Sequence, residues 1–205
     1  CPASSNVNVT INATPTAAFT APGDLCINAG VQNNLGGGTS TGGVYSGPGV
    51  SDDGNGMTYY FDPAAAGAGV HTITYTVGVA GCFDSASDFV EVFFLPTVMF
   101  TAPTDLCLDA GSQTGQTGGL PAGGVYSGSG IIDAGDGINY SFDPAAAGVG
   151  VHTITYSFTN ANGCSGSAND NVEVFGLPTV TFTEPADLCV NAGVQAGLSG
   201  GLPSG

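Results

Sequence analysis

The chain has 205 residues, with 35 Gly, 12 Pro and no Trp, and its 16 Asp plus Glu face no Lys or Arg, giving a formal net charge of −16. No carboxylate can pair with a Lys or Arg, so each must be solvated, bonded to backbone N–H groups, or neutralised by a metal ion. A polyanion excludes nucleic acid and anionic lipid as partners, and without an apolar run of about 20 residues no membrane insertion is expected in this segment.

Residues 1–14 carry Cys1 and two sequons, Asn8-Val-Thr10 and Asn12-Ala-Thr14, which matter only in a eukaryotic glycosylation pathway. They lack a basic segment followed by an apolar stretch, so any export signal is expected elsewhere. After the junction Thr14-Pro15-Thr16, a series of motifs begins. In order these are Thr20-Ala-Pro-Gly-Asp-Leu-Cys-Ile-Asn-Ala-Gly30, Gly42-Gly-Val-Tyr-Ser-Gly47, the acidic loop Asp52-Asp-Gly-Asn-Gly56, and Phe61-Asp-Pro-Ala-Ala-Ala-Gly67. Val70-His-Thr-Ile-Thr-Tyr75, Cys82, and a strand in which Val90 and Val92 flank an outward Glu91 complete the set. After Leu95-Pro96-Thr97 the whole series returns, with Cys107, Asp133-Ala-Gly-Asp-Gly137, Phe142-Asp-Pro-Ala-Ala-Ala-Gly148, Val151-His-Thr-Ile-Thr-Tyr156 and Cys164. It starts a third time after Leu177-Pro178-Thr179, with Cys189. The offset is 81 residues early in the unit and 82 after one extra residue near Asn160.

The junctions divide the chain into the end of a preceding repeat (1–14), two complete immunoglobulin-like repeats (15–95 and 96–177) and the start of a following one (178–205). The parent chain is expected to continue in both directions, or neighbouring copies to complete the broken repeats. Alternation marks the strands: Val98 and Phe100 point one way, as do Ile154, Tyr156 and Phe158, and Val172 and Val174 flank an outward Glu173. About seven short strands per unit, separated by Gly, Asn and Pro turns, predict an all-β, immunoglobulin-like sandwich.

Two disulfide schemes respect the repeat. One joins Cys26 to Cys82 and Cys107 to Cys164 within units; the other joins sequence neighbours, Cys1–Cys26, Cys82–Cys107 and Cys164–Cys189. Cys164 opens a last strand and Cys107 lies on an early strand that could run beside it. Cys82 and Cys107 are separated by a last strand, a junction and a first strand, which would place them in different domains roughly 40 Å apart, where a disulfide needs about 7 Å. The expectation is therefore one intradomain disulfide per repeat, Cys26–Cys82 and Cys107–Cys164, with Cys1 and Cys189 paired outside this stretch. Each would close a loop of about 57 residues, worth about 4 kcal/mol, and paired cysteines imply an extracellular location. Zinc is set aside because no CxxC spacing occurs.

In this order, Leu-Cys-x-Asn-Ala-Gly, Gly-Gly-Val-Tyr-Ser-Gly, Phe-Asp-Pro-Ala-Ala-Ala-Gly, His-Thr-Ile-Thr-Tyr, Val-Glu-Val and Leu-Pro-Thr-Val resemble the Ig-like or PKD-like tandem repeats of giant Bacteroidota cell-surface proteins, including gliding-motility-type adhesins. The resemblance implies a PKD-like sandwich, export by type IX secretion, and a place at the cell surface as stalk, adhesin shaft or extracellular filament. Two departures from the pattern, Ala80-Gly-Cys82 where the second repeat has Asn162-Gly-Cys164 and a diverged first junction at Asn12-Ala-Thr-Pro15, leave its framework untouched.

His71 and His152 are the only ring bases; with no recurring nucleophile or acid partner, each is read as hydrogen-bonded at the rim of the core, and no enzyme is expected. Asp52, Asp53, Asn55, Asp133 and Asp136 could hold calcium weakly, although the bidentate Glu of an EF-hand is missing and a plain hairpin turn is the simpler reading. Asp84-Ser85-Ala86 resembles a Bacteroidota O-glycosylation motif, which makes Ser85 a candidate glycosylation site. The expected function is that of a disulfide-stabilised spacer or fibre segment in an extracellular adhesin stalk or surface filament, its partners neighbouring repeats or copies of itself. The alternative is an adhesive module that recognises surface glycans, or ice, through the Thr72, Thr74, Thr76 face.

Overall fold

Alternation along Val70-His-Thr-Ile-Thr-Tyr75 sends every second side chain to one face, and this run becomes part of the central strand of a sandwich. The computed structural model describes residues 7–198 together with 201 and 202. In the first repeat the strands are β1 Leu25–Cys26, β2 Gln32–Leu35, β3 Val44–Ser46, β4 Val50–Asp52, β5 Tyr59–Phe61, β6 Gly69–Val79 and β7 Cys82–Phe93. They form a four-stranded sheet, β1-β7-β6-β3, and a three-stranded sheet, β2-β5-β4. In the second repeat β8 Leu106–Cys107, β9 Gln113–Gln116, β10 Val125–Ser127, β11 Ile131–Asp133, β12 Tyr140–Phe142, β13 Gly150–Thr159 and β14 Ser165–Phe175 follow the same plan. Their sheets are β10-β13-β14-β8 and β11-β12-β9. A short pair, β15 Thr181–Phe182 with β16 Gly201–Leu202, comes last.

The third, sixth and seventh strands share one sheet and the second, fourth and fifth the other, which is the immunoglobulin-like arrangement the turn spacing predicts. The first strand runs parallel to the last and beside its C-terminal end, with Cys26 opposite Phe93 and Cys107 opposite Phe175. One compact unit extends to Thr97 and takes in Thr159–Gly166; the other comprises Val98–Phe158 and resumes at Ser167.

Pattern reading missed one element. Each Phe-Asp-Pro-Ala-Ala-Ala-Gly motif contains a single helical turn, α1 Pro63–Ala66 and α2 Pro144–Ala147. Asp62 caps α1 by accepting from the N–H groups of Ala64 and Ala65, Pro63 supplies the fixed φ of the first helical position, and Gly67 leaves at φ 83°.

Tyrosine fills each core. Tyr45 stacks on Tyr59 at 4.4 Å between ring centroids and lies 4.6 Å from Tyr75, with Phe19 edge-on; Tyr126, Tyr140, Tyr156 and Phe100 repeat the cluster. Gly43 and Gly124 are fixed by this packing, because a Cβ at either would enter the ring of Tyr75 or Tyr156. The Tyr75 hydroxyl donates to the Ser40 carbonyl at 2.7 Å and accepts from the Gly43 N–H at 2.9 Å. The fully buried hydroxyls of Tyr59 and Tyr140 find no partner among the described residues.

An unpaired buried hydroxyl costs about 1–3 kcal/mol, whereas a paired one contributes about 1 kcal/mol. Tyr59→Phe and Tyr140→Phe will therefore raise stability by about 1 kcal/mol, and Tyr75→Phe will lower it by at least as much, read as urea midpoints. Burial pushes the phenols of Tyr59 and Tyr140 up to about 12, and those of Tyr45 and Tyr126 upward as well. A pKa raised in the folded state gives a contribution that is complete below the unfolded value of 10.0 and is lost as pH climbs toward about 12. Stability will fall across that window in step with tyrosinate absorbance, and Tyr59→Phe will weaken the dependence.

Candidate functional site

Cys26 ends β1, where the Ile27 N–H donates to the Phe93 carbonyl at 3.0 Å and the chain turns through an Ala29 N–H bond to the Cys26 carbonyl. Cys164 closes the tip between β13 and β14. There the Asn160 side chain accepts from the N–H groups of Asn162 and Cys164, both at 3.0 Å, while Gly163 takes φ 79°. The two cysteines form a disulfide with their Cα atoms 5.6 Å apart and a sequence separation of 138. The tip Thr159–Gly166, which comes from the second repeat, belongs to the same compact unit as Cys26. Its Asn160 and Asn162 line an open cleft with Glu91, Phe93 and Leu95. Cys164 is fully buried.

This pairing corrects the expected Cys26–Cys82 and Cys107–Cys164 bonds. The early strand does run beside the last one, as expected, but in parallel and at its far end. Cys26 stands opposite Phe93 while Cys82 opens the same strand, eleven residues or about 36 Å away. Cys107 and Cys164 are separated in the same way by β14, and no disulfide spans such a gap. Among the described residues there is therefore one disulfide, which joins two consecutive repeats, and not one inside each. Among the described residues Cys82, Cys107 and Cys189 are unpaired; Cys1 lies outside them.

Most of the aspartates accept from backbone N–H groups. Asp52 accepts from the Tyr45 and Gly54 N–H groups at 2.7 Å each, and Asp133 accepts from Tyr126 and Gly135 at the same distance. Asp136 accepts from Ile138 and from the backbone and side chain of Asn139. In the first copy Asn55 accepts from Met57 and Thr58, and Asp53 from the Thr58 hydroxyl. The five candidate calcium ligands thus brace their own hairpins, and no group of three or more His, Cys, Asp or Glu among the described residues is placed to hold a metal.

Other aspartates tie neighbouring segments to the last strand of each repeat. Asp24 accepts from Glu91, and Asp105 from Glu173; Asp84 and Asp88 hold the Ala17 and Ala21 N–H groups, and Asp170 holds Ala102. These backbone donors lower the pKa of Asp88, Asp136 and Asp170.

His71 and His152 each donate from Nε2 to the carbonyl of Gly67 or Gly148 at 2.7 Å, just past the helical turn. Ser85 is exposed on β7 opposite Thr76, and the neighbouring Asp84 carboxylate is committed to Ala17. Thr72, Thr74 and Thr76 face outward, with the Thr74 hydroxyl 2.9 Å from that of Ser87. Phe83 lies over Gly78, where a Cβ would meet its ring. No helix among the described residues is long and apolar enough to cross a membrane.

No family model matches the chain, and no curated protein matches it. Solved structures similar to it include the insect immune protein hemolin, 13% identical over 80% of this chain and 47% of hemolin, at a TM-score of 0.35. Extracellular domains 3–5 of Drosophila OTK are 14% identical over 80% of this chain and 63% of theirs, at 0.35. Domains EC22–24 of mouse cadherin-23 are 14% identical over 78% of this chain and 65% of theirs, at 0.29. The chain spans about half the length of hemolin. The immunoglobulin-like assignment rests on strand order and register.

Proposed function

We propose that this chain is a segment of an extracellular shaft or surface filament whose consecutive repeats are tied together by disulfides. The observation that carries the reading is the Cys26–Cys164 bond, which joins two repeats already joined by the peptide chain. A spacer that must keep its length outside the cell needs such a second connection, because each small sandwich alone is only marginally stable. The reading is non-catalytic. The two ring bases are held by backbone carbonyls, and most of the aspartates serve as braces that a chain without Lys or Arg cannot replace by ion pairs. The Bacteroidota resemblance adds the type IX secretion route, the cell surface and gliding-motility-type adhesins as the setting.

An adhesive role for the Thr-bearing face is the second reading, favoured by exposed Val44, Phe83 and Phe89 beside it. A glycan array separates the two. The shaft reading expects no carbohydrate to be retained; retention that disappears on Thr74→Val would install the adhesive reading instead.

A further inference from the structure

The bond between Cys26 and Cys164 joins the early cysteine of one repeat to the late cysteine of the next. Applied along the repeat, that rule leaves Cys82, Cys107 and Cys189 without partners inside this chain, and these are the described cysteines found unpaired. Their surroundings match those of the bonded pair. Cys107 stands opposite Phe175 as Cys26 stands opposite Phe93. The Leu108 N–H donates to the Phe175 carbonyl at 2.9 Å, and the Ala110 N–H to the Cys107 carbonyl at 3.0 Å. Cys189 carries the same turn through Ala192. Cys82 follows a tight hairpin at Ala80-Gly81, both with positive φ, in the place Cys164 holds in its own repeat.

The difference lies in what covers them. Leu95 is 36% exposed in the unit that contains the tip, while its equivalent Leu177 is 51% exposed; Phe175 is 45% exposed and Cys107 is open to solvent.

We infer that the end of the sandwich formed by Cys107, Phe175 and Leu177 is a docking and cross-linking site for the β-hairpin tip of another repeat of this kind, with Cys107 bonding that repeat's late cysteine. Continued along an array, each disulfide loop opens inside the previous one, since Cys107 lies within the Cys26–Cys164 loop while its partner lies beyond. The loops interlock, so that none can be drawn out while its own bond and its neighbours' bonds stand. Each bond forms by exchange with a low-molecular-weight disulfide such as oxidised glutathione: two protein thiols give up two protons and two electrons, and one glutathione disulfide becomes two thiols. The inference rests on the pairing and the repeat offset, and not on the shaft reading.

The test mixes ordinary and 15N-labelled copies of the chain in a glutathione redox buffer, followed by peptide mapping with a protease that needs no Lys or Arg. The expected result is mixed-label peptides joining Cys82 of one copy to Cys107 or Cys189 of another, and dimers and longer species on a non-reducing gel that are lost with Cys82→Ser. Only like-with-like bonds between copies, Cys82–Cys107 bonds within a single copy, or the absence of any cross-copy bond would overturn it. Cys26–Cys164 is read from the same digest, so failure of the parent pairing is seen separately, and glycan retention does not bear on either outcome.

Discussion

Reducing the Cys26–Cys164 bond will lower the melting temperature of the first unit by about 20 °C. The bond closes a loop of 138 residues, and in the chain-entropy model a loop of that length is worth about 5 kcal/mol. A small domain has only about 5–15 kcal/mol in all, and each kcal/mol shifts melting by about 4–8 °C at this size. Differential scanning calorimetry with and without reductant measures the effect. Cys164→Ser should reproduce the reduced curve without reductant. Cys107→Ser, which removes an exposed and unpaired thiol, should leave it in place. The loss should exceed that from Tyr75→Phe, because the bond restrains the unfolded chain as well as packing the tip against β1.

Pulled from its two ends, the oxidised chain will yield far less length than its residue count allows. Tension entering near the N-terminus reaches Cys26, crosses the disulfide and leaves through Cys164, so the chain between them, a sequence separation of 138, is shielded. At about 3.3–3.6 Å per extended residue, the hidden contour length is about 480 Å. Force spectroscopy should record release of that length only when reductant is added. The same property suits a shaft, which gains strength if sandwiches cannot be unravelled one by one. Release of the full length from oxidised chains would show that tension does not pass through this bond.

Much of the fold was legible because it follows from local pattern. Ile73, Tyr75, Val90 and Val92 are buried and Glu91 is exposed, as alternation requires, and the histidines sit at the core rim. The helical turns at Pro63 and Pro144 were equally legible in principle, since Asp-Pro-Ala-Ala-Ala-Gly contains a cap, a starter and a terminator. They passed unnoticed because one turn has no periodicity. The acidic loops offered two chemistries to the sequence, calcium or turn; the fold shows the turn, in which Asp52 and Asp133 accept from backbone N–H groups.

The disulfide was misread for a more general reason. The sequence let the early strand, read at Cys107, run beside the last one but gave no indication of which end it occupies. The parallel register of Cys26 with Phe93 decides that, and a shift of eleven residues separates a feasible bond from an impossible one.

Peptide mapping of the non-reduced chain tests the central claim most directly. A single internal bridge, Cys26 to Cys164, with Cys82 and Cys107 open to alkylation in the monomer, is the predicted result. Bridges from Cys26 to Cys82 and from Cys107 to Cys164 would instead make the repeats independent beads and contradict the account.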